Sequence, residues 1–366
     1  MSDDLRRDLS GRTILMLPRY GELGPSSRLR MGQFAPRLEG AGATVRSSPF
    51  FDDDYLRALF GSGSKSKLSS LRAYARRTAA LARERADLVW IERELFPFLP
   101  GGFERALRAR RIPYVVDWDD AVFHRYDRHP CSAVRRVLGR KFDALLRGSA
   151  AATPGNSYLA RYMAEHGARR VVTVPTVVDP RRYDPRPRAR GASLRLGWIG
   201  TPANARYLSV VADAIRLLGD EAPVTLVTIG APRLDGFPVE QEAHDWSEDS
   251  EARLLSTVDV GVMPLPDRSF ERGKCGYKLI QYMASGRAVI ASPVGVNAEI
   301  VDGEVGLLAT TPAEWAEAIR MLAADPARTE AMGQAGRRRV EERYSIDVAG
   351  AALVDLFASV ASETRR

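Results

Sequence analysis

Cysteine, lysine and long hydrophobic runs are all scarce in this 366-residue sequence. Its two cysteines, Cys131 and Cys275, allow at most one disulfide, which argues against a secreted, cross-linked scaffold. Apolar runs such as residues 13–17 are far shorter than the roughly 20 residues that a membrane-spanning helix needs. The first residues, MSDDLRRDLSG, lack the apolar core and cleavage site of an export signal, so the sequence predicts a cytoplasmic protein.

Negative charge is scarce in the first half of the chain. Residues 1–190 contain 36 Lys+Arg and 21 Asp+Glu, whereas residues 191–366 contain 18 and 25. Only five of the 54 basic residues are lysine, so an arginine-rich composition with solvated helix faces explains much of this excess. An anionic partner stays open, and the arginines between residues 72 and 85 favour peripheral contact with an anionic membrane. Zinc-finger spacing and RNA-binding strand motifs are missing, which argues against nucleic acid.

The chain is long enough for two domains, and 45% hydrophobic residues can fill two cores. Short apolar runs alternate with amphipathic stretches, which is typical of parallel βα units. The predicted strands are residues 13–17, 43–46, 87–91, 114–117, 150–153, 171–174, 194–199, 224–229, 239–244, 258–263 and 288–291. We therefore predict an α/β protein with two doubly wound lobes, over 1–178 and 194–345. Residues 179–193, rich in proline and arginine, predict a linker, and 346–366 a helix that can pack back on the first lobe.

Ligands of open α/β sheets bind at the carboxyl ends of the strands, so we expect the site in a cleft between the lobes. The first candidate loop follows the first strand and contains Gly24, Ser26, Ser27 and Arg28. Its hydroxyl, guanidinium and backbone donors suit an anion or a sugar hydroxyl. Its glycine spacing is neither a dinucleotide fingerprint nor a P-loop, and a plain capped turn explains it equally well.

Three carboxylates end the fourth predicted strand, at Asp117, Asp119 and Asp120, and His124 follows. They can bind a divalent cation, orient substrate hydroxyls or tune the histidine. The residues after His124 match zinc spacing only loosely, so we predict no metal site.

Phosphate-binding features concentrate in the second lobe. Gly200, Thr201 and Asn204 lie where a strand ends and a proline-initiated helix begins, so backbone N–H groups there favour a diphosphate. The segment 271–293 holds two of the five lysines, Lys274 and Lys278. If a helix begins near residue 277, Lys278 and Gln281 lie on one face at its N-terminal end and face the same ligand.

At these residues the sequence resembles the nucleotide-sugar-dependent glycosyltransferases of the GT-B fold, specifically glycosyltransferase family 4. The similarity covers nearly the whole chain, and its most specific block ends in Gly286-Arg287-Ala288-Val289-Ile290. Members carry two glutamates eight residues apart in this block, for the donor sugar and the ribose. Those positions are Gly273 and Gln281 here, so Gln281 can bind ribose, while backbone N–H groups or Glu271 replace the first glutamate.

The resemblance implies two Rossmann-like lobes and a retaining transfer of a sugar from a nucleotide-sugar to an acceptor hydroxyl, without metal or other cofactor. The acceptor is a sugar, a lipid-linked molecule or a natural product. We predict that Lys278 stabilises the leaving diphosphate, and that His124, Asp119 or Asp120 contacts the transferred sugar or the acceptor. Further donor-binding residues are Gly200, Thr201, Asn204, Trp246, Glu271, Lys274, Gly276, Tyr277 and Gln281. The acceptor-binding residues are Gly24, Ser26, Ser27, Arg28 and Asp117.

Two other enzyme classes stay open from the sequence alone. A nucleotide-sugar epimerase has the same two-lobed fold but releases no nucleotide through transfer to an acceptor. A metal-dependent transferase would use Asp117 and Asp119 as a cation-binding Asp-x-Asp pair, and its activity would be lost in EDTA.

Overall fold

The computed structural model describes residues 8–62, 67–189 and 191–363. The chain forms two compact units. One contains the residues up to Thr176 together with those from Asp347 onward, and the other contains Val177–Ile346.

The first unit is built on a five-stranded parallel sheet with strand order β2-β1-β3-β4-β5. The strands are β1 (Thr13–Leu17), β2 (Thr44–Ser47), β3 (Leu88–Glu92), β4 (Tyr114–Trp118) and β5 (Ala151–Pro154). The helices between them are α1 (Pro25–Arg30), α2 (Ala35–Gly40), α3 (Asp53–Ser62), α4 (Lys67–Arg83), α5 (Arg105–Ala109), α6 (His124–Asp127), α7 (Ser132–Leu138), α8 (Lys141–Gly148) and α9 (Ser157–Glu165). Glu92 pairs with Asp117 in register, so the carboxyl ends of β3 and β4 lie side by side.

The second unit is built on a six-stranded parallel sheet with strand order β11-β10-β9-β6-β7-β8. The strands are β6 (Leu194–Ile199), β7 (Val224–Ile229), β8 (Glu240–His244), β9 (Val260–Met263), β10 (Ala288–Ala291) and β11 (Gly306–Leu308). The helices are α10 (Ser209–Leu218), α11 (Glu248–Leu255), α12 (Ser269–Arg272), α13 (Tyr277–Ala284), α14 (Asn297–Ile300), α15 (Pro312–Ala324) and α16 (Pro326–Arg343). Short 3₁₀ turns cover Gly32–Phe34, Pro180–Arg182, Pro202–Leu208 and Gly219–Glu221.

Helix α13 is seated on the sheet by a close glycine contact. A Cβ atom built on Gly261 of β9 would lie 2.1 Å from the Tyr282 ring of α13, so only glycine admits the ring there. The buried Tyr282 hydroxyl then accepts a hydrogen bond from the Ile199 backbone N–H, at 3.0 Å. These two contacts fix α13 against the carboxyl end of β6.

The last helix, α17 (Ile346–Glu363), belongs to the first unit from Asp347 onward. Its Phe357 ring packs edge-on against Trp90 of β3, with 5.1 Å between the ring centroids. Arg37 pairs with Asp347 at its start, and Arg170 pairs with Glu363 at its end.

The two parallel sheets confirm the predicted α/β class. The predicted strand over 171–174 is wrong, because Val171 forms only an isolated bridge with Ala152. The three-residue strand β11 was not predicted. The proline-initiated helix predicted after Thr201 begins as a 3₁₀ turn, Pro202–Leu208, and becomes α-helical only at Ser209.

Candidate functional site

Three loops meet at the carboxyl edge of the second sheet. They begin after β6, β7 and β8 and carry Gly200, Gly230 and Trp246. A Cβ atom built on Gly230 would lie 2.8 Å from the Gly200 carbonyl oxygen and 3.2 Å from the Trp246 Cβ. This close approach, together with a φ of +85° at Gly230, requires glycine. The Trp246 side chain is 39% exposed beside these glycines.

Lys278 lies at the same edge. It is in the first turn of α13, whose N-cap residue, Gly276, is in the left-handed conformation with φ +65°. The Lys278 ammonium lies 4.3 Å from the Trp198 ring centroid, and a Cβ atom built on Gly200 would be 2.7 Å from its Nζ. Within the described ranges, Lys278 makes no hydrogen bond or ion pair. Burial, and secondarily the like charge of Lys274, lower the pKa of Lys278 to about 7.

The buried Glu271 belongs to α12, and Lys274 lies in the loop between α12 and α13. The Lys274 ammonium lies 5.3 Å from the Phe270 ring centroid. Glu271 accepts a hydrogen bond from the Tyr207 hydroxyl, at 2.7 Å. The carboxylate of Glu271 therefore ties α12 to the 3₁₀ turn after β6, and Asn204 and Thr201 of that region are hydrogen-bonded to each other at 3.3 Å.

Gln281 has different neighbours from Lys278. It is 2% exposed and is hydrogen-bonded to the Tyr183 hydroxyl, which donates to Glu251 at 2.7 Å. The other Glu251 oxygen accepts from the Trp246 Nε1–H, at 2.8 Å. This buried placement corrects the expectation that Lys278 and Gln281 face one ligand, because Lys278 turns toward β6 and Gln281 toward the Tyr183–Glu251 pair. Tyr277 is half-buried at the start of α13.

In the first unit, Arg93 holds the carboxyl ends of β3 and β4 together. Its guanidinium donates to Ser26 Oγ at 2.8 Å and pairs with Asp119 at 3.1 Å and Asp120 at 3.5 Å. Its backbone φ of +62° lies in the left-handed region, which is strained for a non-glycine residue. Arg93 belongs to none of the motifs read from the sequence, although three charged residues, 92–94, directly after an apolar strand are an unusual pattern.

The ionisation of Asp119 and of the neighbouring Glu92 follows from their burial and from the arginines close to them. Burial acts to raise the pKa of Asp119, but the charges of Arg93 and Arg30, together with the hydrogen bonds to the carboxylate, outweigh it and hold that pKa below its usual range. Burial raises the pKa of the adjacent Glu92, whose Oε2 accepts from Ser27 Oγ and from the Arg19 N–H. The Ser27 hydroxyl is therefore already hydrogen-bonded to Glu92, whereas Ser26, Asp119 and Asp120 are partly exposed.

Asp117 lies below this edge. Its carboxylate accepts hydrogen bonds from Arg30 Nε at 2.9 Å, from Arg30 Nη2 at 2.7 Å and from Thr153 Oγ1 at 2.7 Å. Both charged side chains are 1% exposed. This corrects the expectation that Asp117 contacts the acceptor or a cation, because its oxygens are already engaged inside the lobe.

His124 is also turned inward. Its Nδ1 lies 2.9 Å from an Asp127 oxygen and its Nε2 lies 2.8 Å from the Tyr158 hydroxyl, and its side chain is 8% exposed. Both ring nitrogens are therefore occupied in this lobe, which the sequence did not indicate. Near α1, Gly24 is buried at the start of the helix, and Arg28 is half-buried within it.

In the portion of the chain that the structure covers, no group of three or more His, Cys, Asp and Glu residues is arranged to hold a metal ion. The described helices include none long and apolar enough to cross a membrane. Of the arginines predicted to contact a membrane surface, Arg77 is buried and Arg76 pairs with Asp52, whereas Arg72 is exposed. The prediction that Arg77 belongs to a solvent-facing basic surface is therefore wrong, because its side chain is buried.

Two family sequence models match the chain, one in each unit. Residues 23–176 match the model described as "Glycosyl transferase 4-like domain", and residues 193–325 match "Glycosyl transferases group 1". Together they cover most of the chain. The chain belongs to the family 4-like GT-B glycosyltransferases.

Curated relatives of this glycosyltransferase chain include a D-inositol 3-phosphate glycosyltransferase of Streptomyces bingchenggensis, 26% identical over 229 residues. The match covers 54% of this chain and 49% of the relative. A protein of the same name from Streptomyces avermitilis is 27% identical over 246 residues, covering 56% of this chain and 50% of the relative. The chain therefore spans about half the length of the curated relatives it matches.

Solved structures of the same fold include HepE of Anabaena in complex with UDP and glucose, with a TM-score of 0.68 and 16% identity. The similarity covers 95% of this chain and 100% of HepE. Sucrose-phosphate synthase of Thermosynechococcus elongatus has a TM-score of 0.69 and 14% identity, covering 96% of this chain and 100% of that one. These similarities confirm the predicted GT-B class.

Proposed function

We propose that the protein transfers a glycosyl group from a nucleotide-diphosphate-sugar to an acceptor hydroxyl. The observation that carries this proposal is the Lys278 ammonium, which has no anionic partner among the described residues and lies on Trp198 beside Gly200. A half-buried cation at the carboxyl edge of a parallel sheet is suited to a phosphate group. HepE, which shares the fold, was solved with UDP and glucose, and this supports a nucleotide-sugar donor.

Cleavage of the donor's glycosidic bond leaves negative charge on the departing diphosphate and positive charge on the anomeric carbon. In our proposal Lys278 and Lys274 stabilise the diphosphate electrostatically, together with backbone N–H groups at the start of α13. The Gly200 N–H, which the sequence predicts to face the diphosphate, donates instead to the Ile229 carbonyl at 2.9 Å. Glycine at position 200 leaves room for the Lys278 ammonium and the Trp198 ring, each 2.7 Å from where a Cβ atom would lie. In our proposal the nucleobase and ribose lie near the partly exposed Trp246, whose indole is held from behind by the buried chain Glu251–Tyr183–Gln281.

We propose further that the transfer retains the anomeric configuration and needs no metal ion, as the family 4 resemblance implies. The two lysines supply positive charge at the place where a cation would otherwise act. The acceptor hydroxyl is held in the first unit by the partly exposed cluster of Ser26, Asp119 and Asp120, which Arg93 organises. The excess of arginine in residues 1–190 and the name of the Streptomyces relatives favour an anionic acceptor, such as a phosphorylated polyol or a lipid-linked phosphate at a cytoplasmic membrane surface.

The test is thermal unfolding with UDP-, GDP-, dTDP- and ADP-glucose, each with and without EDTA. A ligand at 100 times its Kd stabilises the folded protein by about 2.7 kcal/mol, which gives a clear shift in Tm. Stabilisation by one of these donors that persists in EDTA supports the proposal, whereas a shift that EDTA removes contradicts the metal-independent part.

A matched pair of variants localises the donor site. Lys278→Met removes a charge-assisted contact worth about 1.5–3 kcal/mol, so the donor Kd should rise by about 10- to 100-fold. Arg253→Met removes an exposed cation from α11 of the same unit and should leave the Kd unchanged. Equal affinities in both variants would refute the placement of the diphosphate at Lys278.

A further inference from the structure

We propose that the second unit takes up a proton from solvent when it binds the diphosphate of a nucleotide-sugar, and that Lys278 Nζ accepts this proton. The inference rests on the proposed function and deepens it. It predicts that donor affinity depends on pH through a single lysine.

The surroundings of Lys278 disfavour its charged form before a ligand arrives. Its ammonium lies on the face of Trp198, which offers a weak cation–π contact in place of a carboxylate. Trp198 of β6 and Gly200 directly after it lie beside the ammonium, and neither residue has an ionisable side chain. An ammonium that is removed from water without an anionic partner loses its proton more readily.

Of the charged and titratable groups around Lys278, some lower its pKa further and the others are hydrogen-bonded elsewhere or stay neutral. Lys274, in the loop before α13, carries a like charge and lowers the pKa of Lys278 further. Glu271 of α12 is bonded to Tyr207. Tyr282, one turn along α13, stays protonated because burial raises its pKa. With the pKa of Lys278 at about 7, most of its population is neutral at pH 8.

A bound diphosphate reverses this balance. An anion within about 4–6 Å of the amine favours its protonated form and raises its pKa. Binding at pH 8 therefore transfers close to one proton from the buffer to Nζ, whereas at pH 6 the lysine is already charged and little is taken up. The donor affinity should accordingly fall by about tenfold from pH 6 to pH 8.

The experiment is isothermal titration calorimetry of the full chain with UDP-glucose, whose phosphates do not titrate in this range. GDP-, dTDP- and ADP-glucose are titrated likewise. Each titration at pH 8 is repeated in buffers of low and high ionisation enthalpy. The slope of the observed binding enthalpy against the ionisation enthalpy of the buffer gives the number of protons taken up. We expect about 0.9 proton per donor at pH 8 and about 0.1 at pH 6.

Two conservative variants assign the proton. Lys278→Arg keeps a cation on Trp198 that stays charged throughout, so the uptake and the pH dependence of the Kd should both disappear while binding persists. Lys274→Arg should retain the uptake. Thermal unfolding of each variant shows whether it is folded.

The outcomes separate this inference from the proposed function. Binding by the wild type with no buffer dependence at pH 8, or uptake that survives in Lys278→Arg, overturns the inference and leaves the transferase proposal standing. No binding of any of the four donors at either pH overturns both. Uptake that is present in the wild type and in Lys274→Arg but is lost in Lys278→Arg supports the inference.

Discussion

Removing Arg30 should destabilise the first unit more than almost any other single side-chain change. Arg30→Ala leaves Asp117 buried with Thr153 as its remaining donor, and it also removes bonds to the Val174 carbonyl at 2.8 Å and to Thr176 at 3.3 Å. Breaking a buried ion pair by removing one partner costs about 3–5 kcal/mol. With a urea m value of about 2 kcal/mol/M, the unfolding midpoint of this unit should fall by about 1.5–2.5 M.

The loss should depend on pH in a defined direction. Burial already raises the pKa of Asp117, and removing Arg30 raises it further. A carboxyl whose pKa is higher in the folded than in the unfolded state binds protons preferentially when folded. The variant is therefore most destabilised at neutral pH and recovers part of the loss as the pH falls through the raised pKa.

The assay is urea unfolding followed by hydrogen exchange with mass spectrometry, which reads each unit separately. Arg57→Ala is the control, because it breaks an exposed pair with Asp54 and should cost less than about 1 kcal/mol. The double variant Arg30→Met with Asp117→Leu should recover much of the loss. A cost below about 1 kcal/mol for Arg30→Ala would refute the view that this pair is desolvated and mutually dependent.

Three further substitutions test contacts described above. Gly200→Ala places a Cβ atom 2.7 Å from Lys278 Nζ, so calorimetry should show weaker donor binding, whereas Gly303→Ala, with open space around its Cβ position, should bind normally. Gly261→Ala overpacks the buried tyrosine ring of α13 and should lower stability by about 1–3 kcal/mol in urea unfolding, and an unchanged midpoint would contradict this contact. Arg93→Gly should be about 1 kcal/mol more stable than Arg93→Ala in the same assay, because glycine relieves the left-handed backbone strain, and equal midpoints would argue against that strain.

The sequence predicts most of the strands because their apolar runs are local signals. Residues 194–199 and 224–229 are predicted with the bounds observed for β6 and β7. Residues 171–174 are all β-branched but form a bridge only at Val171, because strand pairing is decided by tertiary structure as well as by residue type. Strand β11 has three residues, too few to show a period.

The candidate site is less predictable because its contacts join residues that are distant in sequence. Lys278 was identified from its rarity and its position at a helix start, and its stacking on Trp198 joins residues 80 positions apart. Asp117 and His124 are predicted from their residue types and their place at the end of a strand. The fold brings Arg30 to Asp117 and Tyr158 to His124, and these contacts turn both side chains inward.

Helix α17 has a consequence for how the chain is made and dissected. The edge-on contact between Trp90 and Phe357 joins a strand near the beginning of the sequence to a helix near its end. During synthesis, the first unit therefore cannot be completed by its last helix until the whole of the second unit has left the ribosome. A fragment that stops at residue 176 exposes the Trp90 surface that this helix covers, whereas residues 177–346 form one uninterrupted segment.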